Sequence, residues 1–237
     1  METIKQSVKK GIKKATKSAL AVAALNSYRE IIDEVRVIKE RDPAAESSIE
    51  VLLTYSGLHA ILAYRLSHAL HKNGFTLLAR AVSQIAKFVT GIEIHPGATI
   101  GKGVFIDHGS GVVIGETAEI GDGCTLYQGC TLGGTGKHVG KRHPTLGKNV
   151  MVGAGAKVLG PFTVGDNSKI AANAVVLDAV PENSTAVGIP ARVVKRNGVK
   201  AEPDLDQVHI PDPVAQEFCK LQIKIEKLEK QIEELTK

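Results

Sequence analysis

Two polar pairs in the glycine-rich half of this sequence have side chains suited to acid-base chemistry and charge recognition. His108 directly follows Asp107, and His143 directly follows Arg142. Imidazole exchanges a proton near neutral pH, while carboxylate and guanidinium groups bind ligand groups of opposite charge. These residues are therefore candidates for a catalytic site. From residue type alone, each histidine could equally have a structural or surface role.

The glycine run at 133–137 resembles a phosphate-binding loop only superficially. A P-loop needs glycine where Thr131 stands and serine or threonine where His138 stands, so this reading is excluded. The three cysteines include no C-x-x-C pair, which favours a reducing compartment and a cytoplasmic protein. Cys124 and Cys130 occupy positions predicted to be interior, where we expect buried thiols.

Charge is concentrated at the beginning of the chain. Six lysines and one glutamate within the first 17 residues account for the formal net charge of +5, so the remainder is neutral and does not favour a nucleic-acid-binding body. Ile4, Val8 and Ile12 have helical spacing, so this segment could lie on an anionic surface, pack against a partner or be a solvated helix. No apolar stretch reaches the length of a membrane span.

The elements that must position the candidate residues begin with a helical region. Apolar residues recur at steps of three and four between residues 27 and 89, while Asp42-Pro43 and Asn73-Gly74 interrupt the pattern. We therefore predict an all-α domain of several short helices over residues 1–90, including the basic segment and closing near Gly91.

A six-residue repeat fills residues 91–196. This period fits neither a helix nor a hairpin array, but it fits a β-helix in which three hexapeptides close one triangular turn. The phase slips by two residues at 111–113, and an excursion at 133–145 is predicted to form a surface loop. The repeated aliphatic positions are Ile94, Ile100, Ile106, Ile114, Ile120, Leu126, Leu132, Leu146, Val152, Val158, Val164, Ile170 and Val176.

After the repeat, prolines and aspartates predict a linker over residues 197–213. In residues 214–237, apolar positions alternate steps of four and three from Val214 to Leu235. This pattern predicts a short coiled-coil helix. The predicted fold class is thus α+β: a helical domain, a β-helix domain and a coiled-coil tail.

Several motifs resemble those of the bacterial serine O-acetyltransferases. The resemblance covers residues 30 to 195 approximately, and its inserted motifs are more specific than the hexapeptide rhythm itself. It is carried by Arg41-Asp42-Pro43-Ala44, His59 to Arg65, Ile94-His95-Pro96, Ile106-Asp107-His108-Gly109, Val113 to Thr117, Thr131 to Lys137 and Arg142-His143-Pro144.

The resemblance implies a left-handed parallel β-helix, an exception to the usual right-handed crossover. It further implies a homotrimer or a dimer of trimers with active sites between subunits. The implied reaction transfers acetyl from acetyl-CoA to the hydroxyl of L-serine, giving O-acetylserine for cysteine synthesis without a required metal. Many relatives dock a C-terminal isoleucine into O-acetylserine sulfhydrylase. This sequence ends in Glu234-Leu235-Thr236-Lys237, so the resemblance leaves that complex open without predicting it.

The same resemblance implies roles for individual residues. His108 would be the general base, and Glu93 would orient it, although many relatives have aspartate there. Asp42 and Asp107 would bind the ammonium of serine, and Arg142 with His143 its carboxylate. Gly134 would offer a backbone N–H to the thioester oxygen. The groove for acetyl-CoA would be formed by Gly153, Ala154, Gly155, Ala156 and Lys157.

Three alternatives remain open on the sequence. A hexapeptide acetyltransferase could act on the hydroxyl of a sugar or a xenobiotic. A zinc lyase of the γ-carbonic anhydrase type would use His95, His108 and His143 as metal ligands. A non-catalytic scaffold would leave the Asp107-His108 and Arg142-His143 pairs without a purpose.

Overall fold

The computed structural model describes residues 28–136 and 139–196, together with helical positions 221, 222, 224, 225, 227, 228 and 231. The basic segment 1–27, the predicted linker 197–213 and most of the predicted coiled coil lie outside the described residues. The described positions of the tail are helical, and their pairing stays a prediction. No helix among the described residues is long and apolar enough to cross a bilayer.

The helical region contains four helices in the described part of the chain. They are α1 (28–41), α2 (Ser48–Thr54), α3 (Ser56–Lys72) and α4 (Thr76–Thr90). Ser47 and Glu50 form a reciprocal capping box that begins α2. Gly91, in the left-handed conformation, ends α4. The predicted interruptions of the helical pattern at Asp42-Pro43 and Asn73-Gly74 are therefore confirmed, whereas the division of the chain into domains stays a prediction.

A solenoid of short strands follows. Its strands are β1 (Glu93–Ile94), β2 (Thr99–Ile100), β3 (Phe105–Asp107), β4 (Val113–Ile114), β5 (Glu119–Ile120), β6 (Thr125–Tyr127), β7 (Thr131–Gly133), β8 (Thr145–Leu146), β9 (Met151–Val152), β10 (Lys157–Leu159), β11 (Thr163–Val164), β12 (Lys169–Ile170), β13 (Val175–Val176), β14 (Ser184–Gly188) and β15 (Ala191–Arg196). They form sheet A (β1-β4-β7-β10-β13), sheet B (β2-β5-β8-β11) and sheet C (β3-β6-β9-β12-β14-β15). Pairing within the sheets is parallel, except that β14 and β15 are antiparallel.

The six-residue column forms the core of this solenoid. Twelve of the thirteen predicted aliphatic positions are buried, and Ile100 is partly buried against them. Register shows how the repeat is interrupted: Ile94 pairs with Ile114 at a separation of 20, whereas Ile114 pairs with Leu132 at 18. Leu132 pairs with Val158 at 26 because the excursion intervenes. Both predicted interruptions thus become insertions between regular coils.

The insertions lie at two different corners of the triangular prism. The C–A corner, where sheet C turns into sheet A, contains residues 108–112, 128–130 and 153–156 on successive coils. The A–B corner, where sheet A turns into sheet B, contains residues 95–98 and 115–118, together with the described residues 134–136 and 139–144 of the excursion. The two-residue slip belongs to the C–A corner and the long excursion to the A–B corner.

The helical region packs against the first two coils. Gly57 of α3 lies so close to the solenoid that an added Cβ would be 2.1 Å from the carbonyl oxygen of Ile106. The Tyr64 hydroxyl donates to the carbonyl of Ala98 at 2.7 Å, and Arg41 Nη1 donates to that of Gly123 at 2.9 Å. The Arg41 bond fixes the end of α1 against the turn between sheets B and C, and Asp42, the next residue, acts on Asp107 at the end of β3.

Candidate active site

His108 projects from the C–A corner at the end of β3. Its φ of 56° is left-handed and is followed by Gly109 at 74°, so the chain leaves the strand in an uncommon conformation for a non-glycine residue. The side chain is 73% exposed, and its Nε2 lies 4.0 Å from Asp107 Oδ1. Ser56 Oγ donates to the His108 carbonyl at 3.2 Å, which ties this turn to α3. The two-residue slip therefore presents an accessible imidazole on a rigid corner.

Asp42 and Asp107 face one another across the junction of the helical region and the solenoid. Asp42 accepts hydrogen bonds from the Ala44 N–H at 2.8 Å and from the Tyr55 hydroxyl at 2.7 Å. Burial raises the pKa of Asp107 above its usual value; His108 opposes that shift and Asp42 adds to it. Burial, followed by the bond to Asp42, likewise raises the pKa of Tyr55. Two neighbouring carboxylates next to an imidazole form a site suited to a cation.

Glu93 makes a different contact from the one predicted for it. Lys87 Nζ of α4 lies 2.6 Å from Glu93 Oε2. Within the described residues, no hydrogen bond joins Glu93 to His108. The carboxylate lies on β1, the strand that leads away from the C–A corner in the first coil, and a role in orienting His108 stays a prediction.

Arg142 and His143 lie at the A–B corner, at the returning end of the excursion. The Arg142 guanidinium pairs with the Glu116 carboxylate, and this bond is the largest cause of a lowered Glu116 pKa. His143 is 8% exposed, and its Nδ1 accepts a hydrogen bond from the Thr117 N–H at 3.2 Å. Burial, followed by the charge of Arg142, lowers the pKa of His143. The A–B corner thus combines a guanidinium with an imidazole whose cationic form is disfavoured.

Glycines make room for the His143 ring. A Cβ on Gly115 would lie 2.0 Å from His143 Cδ2, and one on Gly134 would lie 3.1 Å from both His143 Nε2 and Arg142 Cγ. The predicted site residue Gly134 is therefore placed beside Arg142 and His143. The structure brings these three residues together at one corner, and Asp42, Asp107 and His108 at the other.

The residues predicted to bind acetyl-CoA lie at the C–A corner, two coils beyond His108. Backbone hydrogen bonds from Gly129 to Ser110 and from Gly155 to Gln128 connect the three coils there. Gly153 has a structural explanation as well, since its Cβ would be 2.6 Å from the Ala172 backbone nitrogen. The Lys157 ammonium donates to the carbonyl of Gly129, and Ala156 is buried. Ala154 and Gly155 are partly exposed on this corner.

Three residues of the site were missed by sequence reasoning: Tyr55, Glu116 and Thr117. Glu116 and Thr117 belong to a motif noted above, but no role was assigned to them because their partners lie 26 positions away across the excursion. Tyr55 lies 13 positions from Asp42, on the far side of α2. No spacing rule predicts either contact.

The histidines considered as zinc ligands divide between the corners. His95 and His143 lie at the A–B corner, where burial lowers the pKa of His95 and the charge of His143 adds to that lowering. His108 lies at the C–A corner. No cluster of three or more histidine, cysteine, aspartate or glutamate side chains placed to hold a metal occurs in the described ranges. Burial raises the pKa of Cys124 to about 11 and that of Cys130 to about 12, as expected for interior thiols.

Comparison with known proteins gives consistent results. Residues 143–178 match the family model of the bacterial transferase hexapeptide (six repeats). The chain is 56% identical over 207 residues to the serine acetyltransferase of Bacillus subtilis, covering 87% of this chain and 95% of the relative. It is 53% identical over 195 residues to that of Staphylococcus aureus strain N315, covering 82% and 92% of the two chains.

Solved structures extend this similarity to the fold. A serine acetyltransferase in complex with cysteine has a TM-score of 0.73 and 42% identity, covering 79% of this chain and 75% of the other. The Neisseria gonorrhoeae serine acetyltransferase in complex with serine has a TM-score of 0.70 and 40% identity, covering 75% and 72%. A serine acetyltransferase in complex with CoA has a TM-score of 0.66 and 42% identity, covering 70% and 68%.

Proposed function

The chain belongs to the serine acetyltransferase family, and on that premise we propose that its two corners together hold L-serine while His108 removes the proton from the serine hydroxyl. The protein is an acetyl-CoA-dependent serine acetyltransferase. The proposal concerns which residues carry that reaction. Its main support is the arrangement of Asp42 and Asp107 beside the exposed imidazole of His108.

Recognition of serine follows from the charges of the two corners. Both carboxylate oxygens of Asp42 accept hydrogen bonds, from the Ala44 N–H and the Tyr55 hydroxyl, and Asp107 is largely buried. An ammonium group bound between the two carboxylates relieves their mutual repulsion. Arg142 and His143 supply donors to the carboxylate. A free amino acid carries both charges, whereas the hydroxyl of a sugar carries neither, so this arrangement favours serine over the alternative substrates.

The chemical step conserves every proton. His108 accepts the hydroxyl proton as the serine oxygen attacks the thioester carbonyl, and the resulting tetrahedral oxyanion accepts a hydrogen bond from the Gly134 N–H. The intermediate then collapses with cleavage of the C–S bond, and the imidazolium of His108 returns its proton to the sulfur of CoA. The products are O-acetyl-L-serine and CoA. Glu93 orients the imidazole during both transfers.

The acetyl-CoA arm lies along the C–A corner towards Gly153, Ala154, Gly155, Ala156 and Lys157. Two coils separate this group from His108, a distance of about 10 Å at the usual strand spacing. Because most of these residues have small side chains, they leave space for the arm on the outer surface of the corner. The thioester end is then beside His108, and the rest of the arm follows the stacked turns.

A complete site in this scheme needs two copies of the chain. Within one copy, the ammonium-binding carboxylates and the carboxylate-binding donors lie at different corners of the prism. We propose a trimer of left-handed β-helices in which the C–A corner of one subunit faces the A–B corner of the next. Each subunit interface then contains one complete site.

The substrate assignment is tested by measuring thiol release from acetyl-CoA against compounds that differ in one charge. L-Serine carries both charges, ethanolamine lacks the carboxylate and 3-hydroxypropionate lacks the ammonium. We expect L-serine to be acetylated at least a hundredfold more efficiently than either analogue or any sugar. Comparable acetylation of ethanolamine would remove the A–B corner from substrate recognition, and comparable acetylation of a sugar would overturn the serine site.

A further inference from the structure

Thr117 contacts all three consecutive residues at the returning end of the excursion. Its carbonyl accepts from Lys141 Nζ at 2.8 Å, and its hydroxyl oxygen accepts from the backbone N–H groups of Arg142 at 3.0 Å and of His143 at 3.1 Å. Thr117 lies on the regular turn before β5, so it is fixed by the solenoid. Thr117 therefore attaches the carboxylate-binding end of the loop to the rigid coil, together with Glu116, which pairs with Arg142, and Glu119, which pairs with Lys141.

The Thr117 hydroxyl also fixes the direction of its own proton. A hydroxyl has two acceptor lone pairs and one hydrogen, and the two backbone N–H groups occupy both lone pairs. The remaining hydrogen points to His143 Nδ1, which lies 2.9 Å from Oγ1. Every hydrogen-bonding capacity of this hydroxyl is thus used within the loop.

The His143 ring consequently has one available tautomer. Nδ1 faces two donors, the Thr117 N–H at 3.2 Å and the Thr117 hydroxyl, so it must present a lone pair. The ring proton of neutral imidazole then resides on Nε2. Nε2 lies beside Gly115 and Gly134 and has no hydrogen-bond partner among the described residues. It is therefore a fixed donor at the mouth of the proposed site.

We propose that Thr117 is a positioning residue that holds His143 as its Nε2–H tautomer and thereby makes it a donor to the carboxylate of serine. This inference rests on the proposed function, which supplies the carboxylate as the acceptor. It explains why a buried histidine at this corner binds an anion without being protonated. It also means that Thr117 affects the affinity for serine without contacting serine itself.

The charged groups around the ring agree with a neutral imidazole. Arg142 and Lys141 on the loop oppose a positive charge on His143, whereas Glu116 on the preceding turn favours one. His95 of the first coil also faces this cluster. Burial is the largest contribution, and it lowers the pKa of His143. All these observations are consistent with a neutral His143 ring whose Nδ1 accepts hydrogen bonds from Thr117.

The tautomer can be observed directly in the full-length protein. With ¹⁵N-labelled histidine, long-range proton-nitrogen NMR spectra distinguish a protonated from an unprotonated ring nitrogen, and His143→Gln identifies the resonance of His143. We expect a protonated Nε2 and an unprotonated Nδ1 in the wild-type protein at pH 7.5. A proton on Nδ1, or equal populations of the two tautomers, would overturn the proposal whether or not the enzyme acetylates serine.

Kinetics of two matched variants test the consequence for binding. Thr117→Val keeps the shape but removes the hydroxyl, and we expect the KM for serine to rise about tenfold while the KM for acetyl-CoA changes less than twofold. The His143 pKa should move back towards its ordinary value. Thr117→Ser retains every hydrogen bond and should restore both readouts to within twofold of wild type.

Three results distinguish this proposal from a purely structural role and from the proposed function. Equal changes in both KM values, or an unchanged serine KM in Thr117→Val with wild-type thermal stability, would refute the positioning role. Loss of folding in Thr117→Val leaves the wild-type NMR measurement decisive. Failure of the wild-type enzyme to use serine would refute the function while leaving the tautomer observable.

Discussion

Asp107 illustrates the cost of keeping a substrate site ready. Burial, and to a smaller extent Asp42, raises the pKa of this carboxyl group in the folded protein. The ionised carboxylate therefore destabilises the folded state at pH values above its ordinary titration range. This penalty disappears below pH 3.8, where the group is protonated in both the folded and the unfolded form. An ammonium ligand removes the penalty because it supplies the missing positive charge. Stability and substrate affinity therefore place opposite demands on this side chain.

We predict that Asp107→Asn raises the midpoint of thermal unfolding at pH 7.5 by about 2 °C while increasing the KM for serine at least tenfold. The stability gain should shrink as the pH falls and should vanish below pH 3.8, where the wild-type carboxyl group is protonated in both the folded and the unfolded state. Calorimetry at both pH values and steady-state kinetics provide the two measurements. A variant less stable than wild type at pH 7.5 would mean that Asp107 makes a favourable contact in the folded enzyme that outweighs its repulsion from Asp42.

His108 and Glu93 are predicted to differ in importance. His108→Ala should lower kcat by about two to four orders of magnitude, the range expected for loss of a positioned general base. Glu93→Gln should lower it by less, about tenfold, because the amide retains a hydrogen bond and only the charge is lost. Lys87→Ala is the control, since it removes the cation that contacts Glu93 at 2.6 Å in the structure. Turnover in His108→Ala near the wild-type level would exclude His108 as the base.

At the scale of elements, the repeat was predictable because every coil has the same local sequence requirements. The aliphatic position must be buried and the following turn must be tight, so register could be derived six residues at a time. The helix interruptions were predictable for similar reasons, since Pro43 and Gly74 act locally. The contacts of Thr117 and Glu116 were not, because they depend on how the loop at 134–144 returns to the solenoid. Sequence therefore predicted the scaffold better than the positioning contacts.

Substitutions at Gly153 and Ala154 distinguish a role in coil stacking from a role in binding acetyl-CoA. A Cβ on Gly153 would meet the backbone of the next coil at 2.6 Å, so Gly153→Ala should destabilise the protein by about 2 kcal/mol or more and lower the unfolding midpoint by several degrees. Ala154 is partly exposed at the same corner. Ala154→Val should instead raise the KM for acetyl-CoA about fivefold with a smaller change in stability.

Thermal unfolding and kinetics of both variants check this pair. Equal losses of stability without any change in the KM for acetyl-CoA would show that residues 153 and 154 serve only the stacking of coils. The acetyl-CoA groove would then have to lie elsewhere on the solenoid.

At the scale of the whole molecule, α4 presents an apolar face to solvent in the single chain. Leu77 is 85% exposed and Phe88 is 91% exposed, with Ile85 between them on the same side of the helix. A monomer rarely leaves such a continuous apolar face uncovered. Because α4 continues directly into β1 through Gly91, this face leads into the first coil of the solenoid, and we expect it to lie at the interface of the proposed trimer.

If the proposed trimer forms, the double variant Ile85→Gln and Phe88→Gln is expected to shift it towards monomer at micromolar concentration and to lower activity in parallel. Leu53→Gln is the matched control, because Leu53 is also an exposed apolar side chain but lies on α2. Light scattering and sedimentation measure the effect. An unchanged trimer in the double variant would exclude α4 from the interface, and dissociation by Leu53→Gln would move the interface to α2.

The proposed sharing of sites between subunits can be tested by mixing two defective variants. At low serine concentration, His108→Ala should impair every site of its own trimer in proton transfer, and Arg142→Ala every site of its own trimer in serine binding. The two variants damage opposite sides of the proposed interface. When the two chains are unfolded together and reassembled in equal amounts, a site is intact if its C–A corner comes from the Arg142→Ala chain and its A–B corner from the His108→Ala chain. Random assembly makes each of these choices with a probability of one half, so we expect about a quarter of wild-type activity to return. Activity no higher than the average of the two separate variants, in mixtures that light scattering shows to be trimeric, would place Arg142 and His108 of one chain in the same site and would refute the shared-site arrangement.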